Sequence, residues 1–264
     1  MSTVPYAITD SATMLRRSLR HMQRYPSLTV LVAGMPVVFM LLFVYVFGGT
    51  LGTGIGGAAG GGRTFYVNYV VPGILLVAVA AAAQGTAVSV AMDMTEGIIA
   101  RFRTMAIARV SVLTGHVLGS MVKTAFGLVV VTGVALLIGF RPTAGPLAWL
   151  AVIGLLAAFT FALTWLTVAL GLAAKTVESA SNTPMFLMLL PFLSSAFVPT
   201  DSMPPGLRAF AEYQPFTPIT ETLRALFFGT PIGSDGIVSL AWCAGIALAS
   251  FLWARKLFSR DPIR

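Results

Sequence analysis

Six long apolar runs alternate with polar or glycine-rich segments along the chain. A helix rises ~1.5 Å per residue and must cover ~30 Å of hydrocarbon, so a membrane span needs about 20 mostly apolar residues. Each run has about that length, and the pattern therefore predicts an all-α membrane protein with six transmembrane helices. The predicted spans are residues 28–47, 69–92, 113–140, 147–173, 182–198 and 237–253.

Four residues stand out within these runs. Pro36 is expected to kink the first span, and Pro184 and Pro191 interrupt the fifth. Lys123 is the one ionisable residue well inside a span. It either marks a proton or ligand site or extends its side chain to the membrane surface. The second interpretation suits a third span that begins further along the chain.

An amphipathic segment precedes the first span, within an N-terminal region 1–26 that we expect to be cytoplasmic. Residues 8–24 place apolar side chains at helical spacings of four and three, and arginines on another face. The apolar stripe is Ile8, Ala12, Leu15, Leu19 and Met22, and the arginines are Arg16, Arg20 and Arg24. The pattern predicts a helix lying in the headgroup plane of the membrane. Packing of this helix against protein is the alternative.

The loop between the second and third predicted spans, residues 93–112, carries a second amphipathic helix. Thr95 can cap it, and Ile98, Phe102 and Met105 share one face at spacings of four and three. An apolar ridge on a short loop helix must be buried against another surface. It packs on the membrane surface, or it docks into a groove on a cytoplasmic partner.

Residues 199–229, between the fifth and sixth predicted spans, are unusually apolar for a loop. Pro205 and Pro218 suit the first turns of two short helices, Thr217 suits an N-cap, and Gly229 suits a helix C-terminus. Neither helix can cross a membrane. The pattern predicts a re-entrant helical hairpin that dips into the outer leaflet, and a solvent-exposed loop is the disfavoured alternative.

Residues 48–62 contain nine glycines and predict a flexible linker between the first two spans. The stretch from Gly57 to Thr64 superficially resembles a phosphate-binding loop with Arg63 in place of the lysine. We reject that interpretation because no strand precedes the stretch and no soluble helix follows it.

Composition and charge agree with a membrane protein. The 264 residues are 57% hydrophobic and 10% charged, with a mean hydropathy of +0.88, whereas soluble domains carry roughly 25% charged residues.

Twelve basic residues fall on one side of a six-span arrangement: Arg16, Arg17, Arg20, Arg24, Arg101, Arg103, Arg109, Lys175, Arg255, Lys256, Arg260 and Arg264. Four fall on the other side: Arg63, Arg141, Arg208 and Arg224. This bias predicts cytoplasmic termini and a cytoplasmic tail at 254–264, and it explains the net charge of +8 without nucleic acid.

Few residues suggest chemistry. The single cysteine, Cys243, forms no intrachain disulfide. His21 and His116 lie far apart in sequence without a nearby ligand partner, and we interpret both as structural. The sequence therefore predicts no catalytic, cofactor or metal site.

Three stretches of the sequence resemble those of one transporter family. They are Glu96-Gly97 with Arg101-Phe-Arg103-Thr-Met105; Pro191 to Pro199 followed by Met203-Pro204; and Gln214-Pro215-Phe-Thr-Pro218 with Glu221 and Leu223-Arg224. Together with the order of spans and hairpin, they resemble the permease subunit of type-2 ABC transporters, the class of bacterial drug, antibiotic, lipid and polysaccharide exporters.

The resemblance implies roles for two sets of residues. An ATPase-coupling loop would contain Glu96, Gly97, Ile98, Arg101, Phe102, Arg103 and Met105. A re-entrant hairpin would contain Met203, Pro204, Pro215, Pro218, Glu221 and Arg224.

The resemblance also implies a division of labour in a bacterial plasma membrane. This chain would not be an enzyme, because a separate ABC-type ATPase, acting as a dimer, would bind ATP and magnesium. A second permease chain, identical or paralogous, would complete the path, and drugs or antibiotics would be exported. Alternatives are a lipid or cell-wall polysaccharide permease of the same class, an ion-coupled secondary transporter, and a non-transporting membrane anchor. The secondary transporter is weakened by the absence of carboxylates within the span cores.

Overall fold

The computed structural model describes residues 26–56, 61–95, 109–174 and 176–259, and the regular elements of these ranges are all helices. The α-helices are α1 Pro26–Leu42, α2 Gly48–Gly56, α3 Arg63–Thr95, α4 Arg109–Leu137, α5 Pro146–Ala173, α6 Val177–Asn182, α7 Met185–Leu189, α8 Pro205–Tyr213, α9 Phe216–Phe228 and α10 Asp235–Ser259. A π-helical turn, Phe43–Phe47, joins α1 to α2, and 3-10 turns lie at Leu190–Leu193 and Thr200–Ser202.

Five helices of the described ranges are long and apolar enough to cross a membrane: Gly34–Ile55, Arg63–Thr95, Leu113–Leu137, Pro146–Ala173 and Asp235–Phe258. They correspond to the first, second, third, fourth and sixth predicted spans. Pro36 lies inside α1 without ending it. Lys123 lies ten residues inside the third of these helices, which is about 15 Å of helix. Helix α4 begins at Arg109, before the predicted span. The Lys123 side chain is therefore not close to a helix end.

Helix α3 is the centre of the bundle. Its apolar residues are buried on every side, with Tyr66, Val70, Ile74 and Val77 all at 0% exposure. It packs against α1, α2, α4 and α5, and against the segment that follows α5. A helix that is apolar around its whole circumference is expected at such a central position.

The fifth predicted span, 182–198, is not one continuous helix. It consists of the end of α6, α7, a 3-10 turn and irregular backbone, and the breaks fall at Pro184 and Pro191. Proline cannot donate a backbone hydrogen bond, and its ring clashes with the preceding turn of a helix. The prolines that marked this run in the sequence therefore divide it into short pieces.

The broken segment runs antiparallel to α3 and is hydrogen-bonded to it near both of its ends. The Gln84 amide donates to the Ser181 carbonyl at 2.9 Å. Further along, the hydroxyls of Tyr69 and Tyr66 donate to the carbonyls of Ser195 (2.9 Å) and Phe197 (3.4 Å). From residue 84 to residue 66, α3 advances about 27 Å, so these bonds cover close to the ~30 Å of a hydrocarbon layer.

The prediction of a flexible linker at 48–62 is wrong for its first nine residues, which form α2. A Cβ placed on Gly52 would lie 2.3 Å from the Gly62 carbonyl oxygen, and one on Gly48 would lie 3.5 Å from the Arg63 side chain. The absence of side chains thus lets the first half of α2 approach the start of α3. Contact with α3 offsets the low helix propensity of glycine. Residues 57–60 lie outside the described ranges.

The connections between helices gather at two opposite ends of the bundle. At one end, the Arg141 N–H donates to the Asn68 side chain at 3.1 Å, and the Thr143 N–H donates to the Phe227 carbonyl at 2.9 Å. At the other end, Val90 and Leu113 pack with Trp165, Ala254 and Phe258. The start of α1 and the end of α10 therefore both lie at the end opposite α8 and α9. The predicted interfacial helix at 8–24 lies outside the described residues.

Candidate functional site

The two helices of the predicted hairpin are present, and local sequence explains their limits. Pro205 occupies the first turn of α8, as predicted. Helix α9 ends at Gly229, which adopts the left-handed conformation (φ 69°) that favours glycine at this position. Pro218 lies in the first turn of α9. Thr217 is not the N-cap that the sequence suggested, because α9 begins one residue earlier, after Pro215.

Thr217 instead joins the hairpin to the broken segment. It is buried, and its hydroxyl accepts a hydrogen bond from the Ser195 N–H at 3.2 Å. Gln214, between α8 and α9, donates to the carbonyls of Leu190 (3.0 Å) and Leu193 (3.3 Å). The prolines break the helix, so some backbone groups near them have no hydrogen-bond partner within a helix. The side chains of Thr217 and Gln214 bind such groups instead.

Helix α9 is buried inside the bundle, whereas α8 is largely exposed. Phe216, Ile219, Leu223 and Phe227 recur at helical spacings of three and four, and each has 0% exposure. Phe227 contacts the rings of Phe140 and Trp149 edge to face, and Phe216 contacts Phe159 in the same way. In α8, Ala211 is the buried residue. The hairpin therefore has one helix in the core and one at the surface.

Arg224, on α9, is the polar centre of this arrangement. Its guanidinium donates to the Glu221 carboxylate (2.5 Å) and to the backbone carbonyls of Tyr69 (3.1 Å) and Ser195 (3.2 Å). Its Cζ lies 3.9 Å from the centre of the Tyr69 ring. The side chain is 17% exposed. A partly buried cation is stable here because an anion, two carbonyls and an aromatic face surround it. One residue thus connects α9, α3 and the broken segment.

The structure brings only some of the predicted hairpin residues together. Glu221 and Arg224 form the ion pair, and buried Pro218 lies on the same helix. Pro215 precedes α9, while Met203 and exposed Pro204 precede α8. Tyr66, Tyr69, Ser195 and Gln214 contribute as much and were not predicted as site residues. Their partners are 21 to 131 residues away in sequence, a distance that no local pattern reveals.

At the opposite end of the bundle, α3 and α4 are joined by polar side chains. His116 Nε2 lies 3.1 Å from a carboxylate oxygen of Asp93, a partner 23 residues away in the sequence. Further inside, the Thr86 hydroxyl donates to Ser120 at 2.6 Å. These contacts fix the two helix ends from which residues 96–108 extend. The predicted coupling residues, Glu96 to Met105, lie outside the described residues.

No group of three His, Cys, Asp or Glu side chains lies close enough to hold a metal ion in residues 26–56, 61–95, 109–174 and 176–259. Arg224 faces two carbonyls, a carboxylate and an aromatic ring. These contacts form a structural junction between α9, α3 and the broken segment.

The sequence profile described as ABC-2 type transporter matches residues 10–228. This chain belongs to the ABC-2 type transporter family. The match covers the predicted interfacial helix, the first four long helices, the broken segment and the hairpin. Family membership assigns the chain to the membrane components of ABC transporters, which act with an ABC ATPase subunit.

Two curated ABC permeases illustrate the relationship. The daunorubicin resistance ABC transporter permease protein DrrB1 of Streptomyces coeruleorubidus is 29% identical over 245 residues, covering 92% of this chain and 83% of the relative. The probable doxorubicin resistance ABC transporter permease protein DrrC of Mycobacterium tuberculosis is 28% identical over 179 residues, covering 66% of this chain and 64% of the relative. This ABC-2 chain is therefore similar to two permeases that are named for drug resistance.

Proposed function

We propose that this chain is the permease subunit of an ATP-driven exporter of amphiphilic drugs or antibiotics in a bacterial plasma membrane. The match of the ABC-2 type transporter family to residues 10–228 carries the proposal. A separate ATPase dimer hydrolyses ATP with magnesium, and two permease chains enclose the path. The names of the relatives, which refer to daunorubicin and doxorubicin resistance, support a drug or antibiotic as cargo.

The chain crosses the membrane six times in this proposal. The start of α1 and the end of α10 lie at the same end of the bundle, which requires an even number of crossings between them. Five long helices are present, and the broken segment supplies the sixth crossing. Its hydrogen bonds to α3 extend about 27 Å. Irregular backbone at membrane depth is permitted where protein satisfies its polar groups, as the side chains of α3 do here.

The hairpin α8–α9 is re-entrant and extracytoplasmic in this arrangement. Arg141 lies at the same end of the bundle as the hairpin, and the basic pair Arg255 and Lys256 lies at the opposite end. Arg255 and Lys256 belong to the larger group in the twelve-to-four split of basic residues along the sequence, and this split supports a cytoplasmic location for both termini. Helix α9 then closes the outer end of the bundle, and the Arg224 junction holds it there.

Residues 96–105 couple the permease to its ATPase in this proposal. The loop extends from α3 and α4, whose ends are held together by Asp93 and His116. A displacement of the loop by the ATPase is therefore transmitted directly to α3, the helix that contacts the broken segment and α9. The apolar ridge of Ile98, Phe102 and Met105 is the surface that docks on the ATPase.

The test measures ATP-dependent daunorubicin uptake into inside-out vesicles that contain the permease and its ATPase. Phe102→Asp should abolish uptake and ATPase association while membrane insertion persists. Tyr213→Asp, which changes an exposed aromatic residue at the other end of the bundle, should retain ATPase association. Uptake and association that survive Phe102→Asp would refute the coupling role. Uptake of a fluorescent phospholipid in place of daunorubicin would assign the chain to lipid export.

A further inference from the structure

A groove of about 510 Å³ lies on the outside of the bundle between α4, α5 and α10. Its walls include Val117, Leu118, Phe161, Trp165, Leu248 and Phe251. Leu118, Phe161 and Leu248 are 40%, 40% and 62% exposed, so the groove opens outward and not into the core. The surface that the wall exposes is apolar, although Thr114 also lines the groove. In a membrane protein this composition places the groove against hydrocarbon.

The position of the groove along α10 defines its depth in the bilayer. Exposed Trp253 and the basic residues Arg255 and Lys256 lie near the C-terminal end of that helix. Tryptophan and basic side chains are enriched at the level of lipid headgroups. Phe251 lies one turn, about 6 Å, inside Arg255, and Ala244 lies about 10 Å further in. The groove therefore begins just below the headgroups and follows the direction of an acyl chain.

A basic residue continues the stripe that lines the groove. Ala244, Leu248, Phe251 and Arg255 follow one another at spacings of four, three and four, which keeps them on one face of α10. Arg255 is exposed. An apolar channel that leads to an exposed guanidinium at headgroup depth has the polarity of an anionic phospholipid, with an acyl chain inside and a phosphate at the surface.

A helix with side chains is 10–12 Å wide, so only one face of a helix could enter this groove. A single flexible acyl chain is narrower and can follow the irregular wall, making the many small contacts on which dispersion attraction depends.

We propose that this groove is a binding site for one anionic phospholipid of the leaflet that faces Arg255. One acyl chain lies against Leu118, Phe161 and Leu248, the exposed residues of the wall, and the phosphate pairs with Arg255. Because surrounding lipid tails offer the same apolar environment, the headgroup supplies the selectivity. A basic residue near the surface contributes ~1 kcal/mol, which corresponds to a preference of about fivefold over a zwitterionic lipid.

The experiment uses the full chain with its ATPase partner, reconstituted in phosphatidylcholine vesicles. Traces of phosphatidylglycerol or phosphatidylcholine with a photoreactive acyl chain are added, and the labelled peptides are identified by mass spectrometry. We expect adducts on residues 114–118 and 244–251, about fivefold more with phosphatidylglycerol. Arg255→Gln should remove most of this headgroup preference and leave phosphatidylcholine labelling unchanged.

Two alanines of α10 provide a matched pair of variants. Ala244→Trp fills the groove and should reduce labelling there severalfold. Ala249→Trp adds the same bulk to an exposed position on another face of the helix and should not. Equal labelling in the two variants, or adducts spread evenly over all lipid-facing helices, would overturn the proposal.

Two other occupants would be recognised in the same experiment. If Ala244→Trp alone separates the permease chains, a second copy covers the groove and the lipid site does not exist. If a photoreactive amino acid placed at Leu248 of the same protein cross-links to residues 1–25 in place of lipid, the N-terminal segment occupies the groove. The assay requires no transport, so its result is independent of the proposed export function.

Discussion

Replacing Gly73 by alanine should force α3 and the broken segment apart. A Cβ at position 73 would lie 2.4 Å from the Ala196 Cβ and 3.1 Å from its Cα and carbonyl oxygen. Ordinary contacts of this kind are 3.4–4 Å, so the segment must move by about 1 Å to reach them. A flexible side chain could relieve such a clash by changing its rotamer, but the Cβ and backbone atoms of Ala196 cannot.

The cost follows from two opposing effects. Adding a methyl group to a closely packed interior costs ~1–3 kcal/mol. Replacing glycine by alanine inside a helix stabilises it by ~1 kcal/mol. Gly85, in the same helix, has no atom within 4 Å of an added Cβ, so Gly85→Ala isolates the second effect. Gly73→Ala should therefore be less stable than Gly85→Ala by ~1–3 kcal/mol.

Thermal unfolding in detergent, followed by loss of the monodisperse species on size exclusion, measures this difference. For a chain of this size, 1 kcal/mol shifts Tm by ~2–4 °C. Ala196→Gly removes the methyl group that the new Cβ would meet. In that background Gly73→Ala should lose at least half of its effect, which a double-mutant cycle detects as coupling between the two positions.

Equal Tm values for Gly73→Ala and Gly85→Ala would contradict the close packing of the broken segment on α3. An effect of Gly73→Ala that persists unchanged in the Ala196→Gly background would locate the clash elsewhere. Either result would also remove the main support for a sixth crossing at this place.

Four further outcomes can be checked on the same protein. Arg224→Gln removes an ion pair and shortens the side chain that reaches two carbonyls, and should lower stability by ~2 kcal/mol in the same unfolding assay. His116→Ala should cost ~1 kcal/mol or less, because the pair is partly exposed, yet should lower drug-stimulated ATPase activity if the ends of the two helices must move together. Lys123 has no hydrogen-bond or ion-pair partner among the described residues, and a charge at mid-membrane costs ~2.5–3.5 kcal/mol. Lys123→Met should therefore leave expression and Tm unchanged or improved, and a loss of transport alone would assign the lysine to the path. Tyr213→Cys, at a 79% exposed position, should react with a membrane-impermeant maleimide from outside the cell, and reaction only from the cytoplasm would reverse the proposed orientation.

The long helices were predictable because the property that forms them is local. About 20 apolar residues in succession suffice to specify a membrane span, and five such runs form continuous helices. The limits of α8 and α9 were likewise local, since Pro205 and Gly229 act through their own backbone preferences. The family resemblance placed Glu221 and Arg224 in the hairpin, and the structure adds that they form an ion pair.

The remaining features depend on contacts between distant residues. Glycines at 48–56 predict a linker by composition, yet they permit a helix where α3 approaches closely. Thr217 has the right residue type for an N-cap, but its hydroxyl accepts a hydrogen bond from the Ser195 N–H. The bonds of Tyr66, Tyr69 and Gln84 to the broken segment, and that between Asp93 and His116, join residues that only the fold brings together. A single sequence contains no local pattern that identifies such pairs.

The broken segment between α5 and α8 has a consequence for how the protein is made. Its carbonyls are bonded by side chains of α3, which is synthesised about a hundred residues earlier, and by Gln214, which is synthesised later. Without these partners its polar backbone would be exposed to lipid at a cost of several kcal/mol. In the proposed six-span arrangement, the segment therefore cannot leave the translocon as an independent helix. It must enter the membrane against an α3 that is already inserted, and its insertion is complete only when the hairpin has emerged from the ribosome.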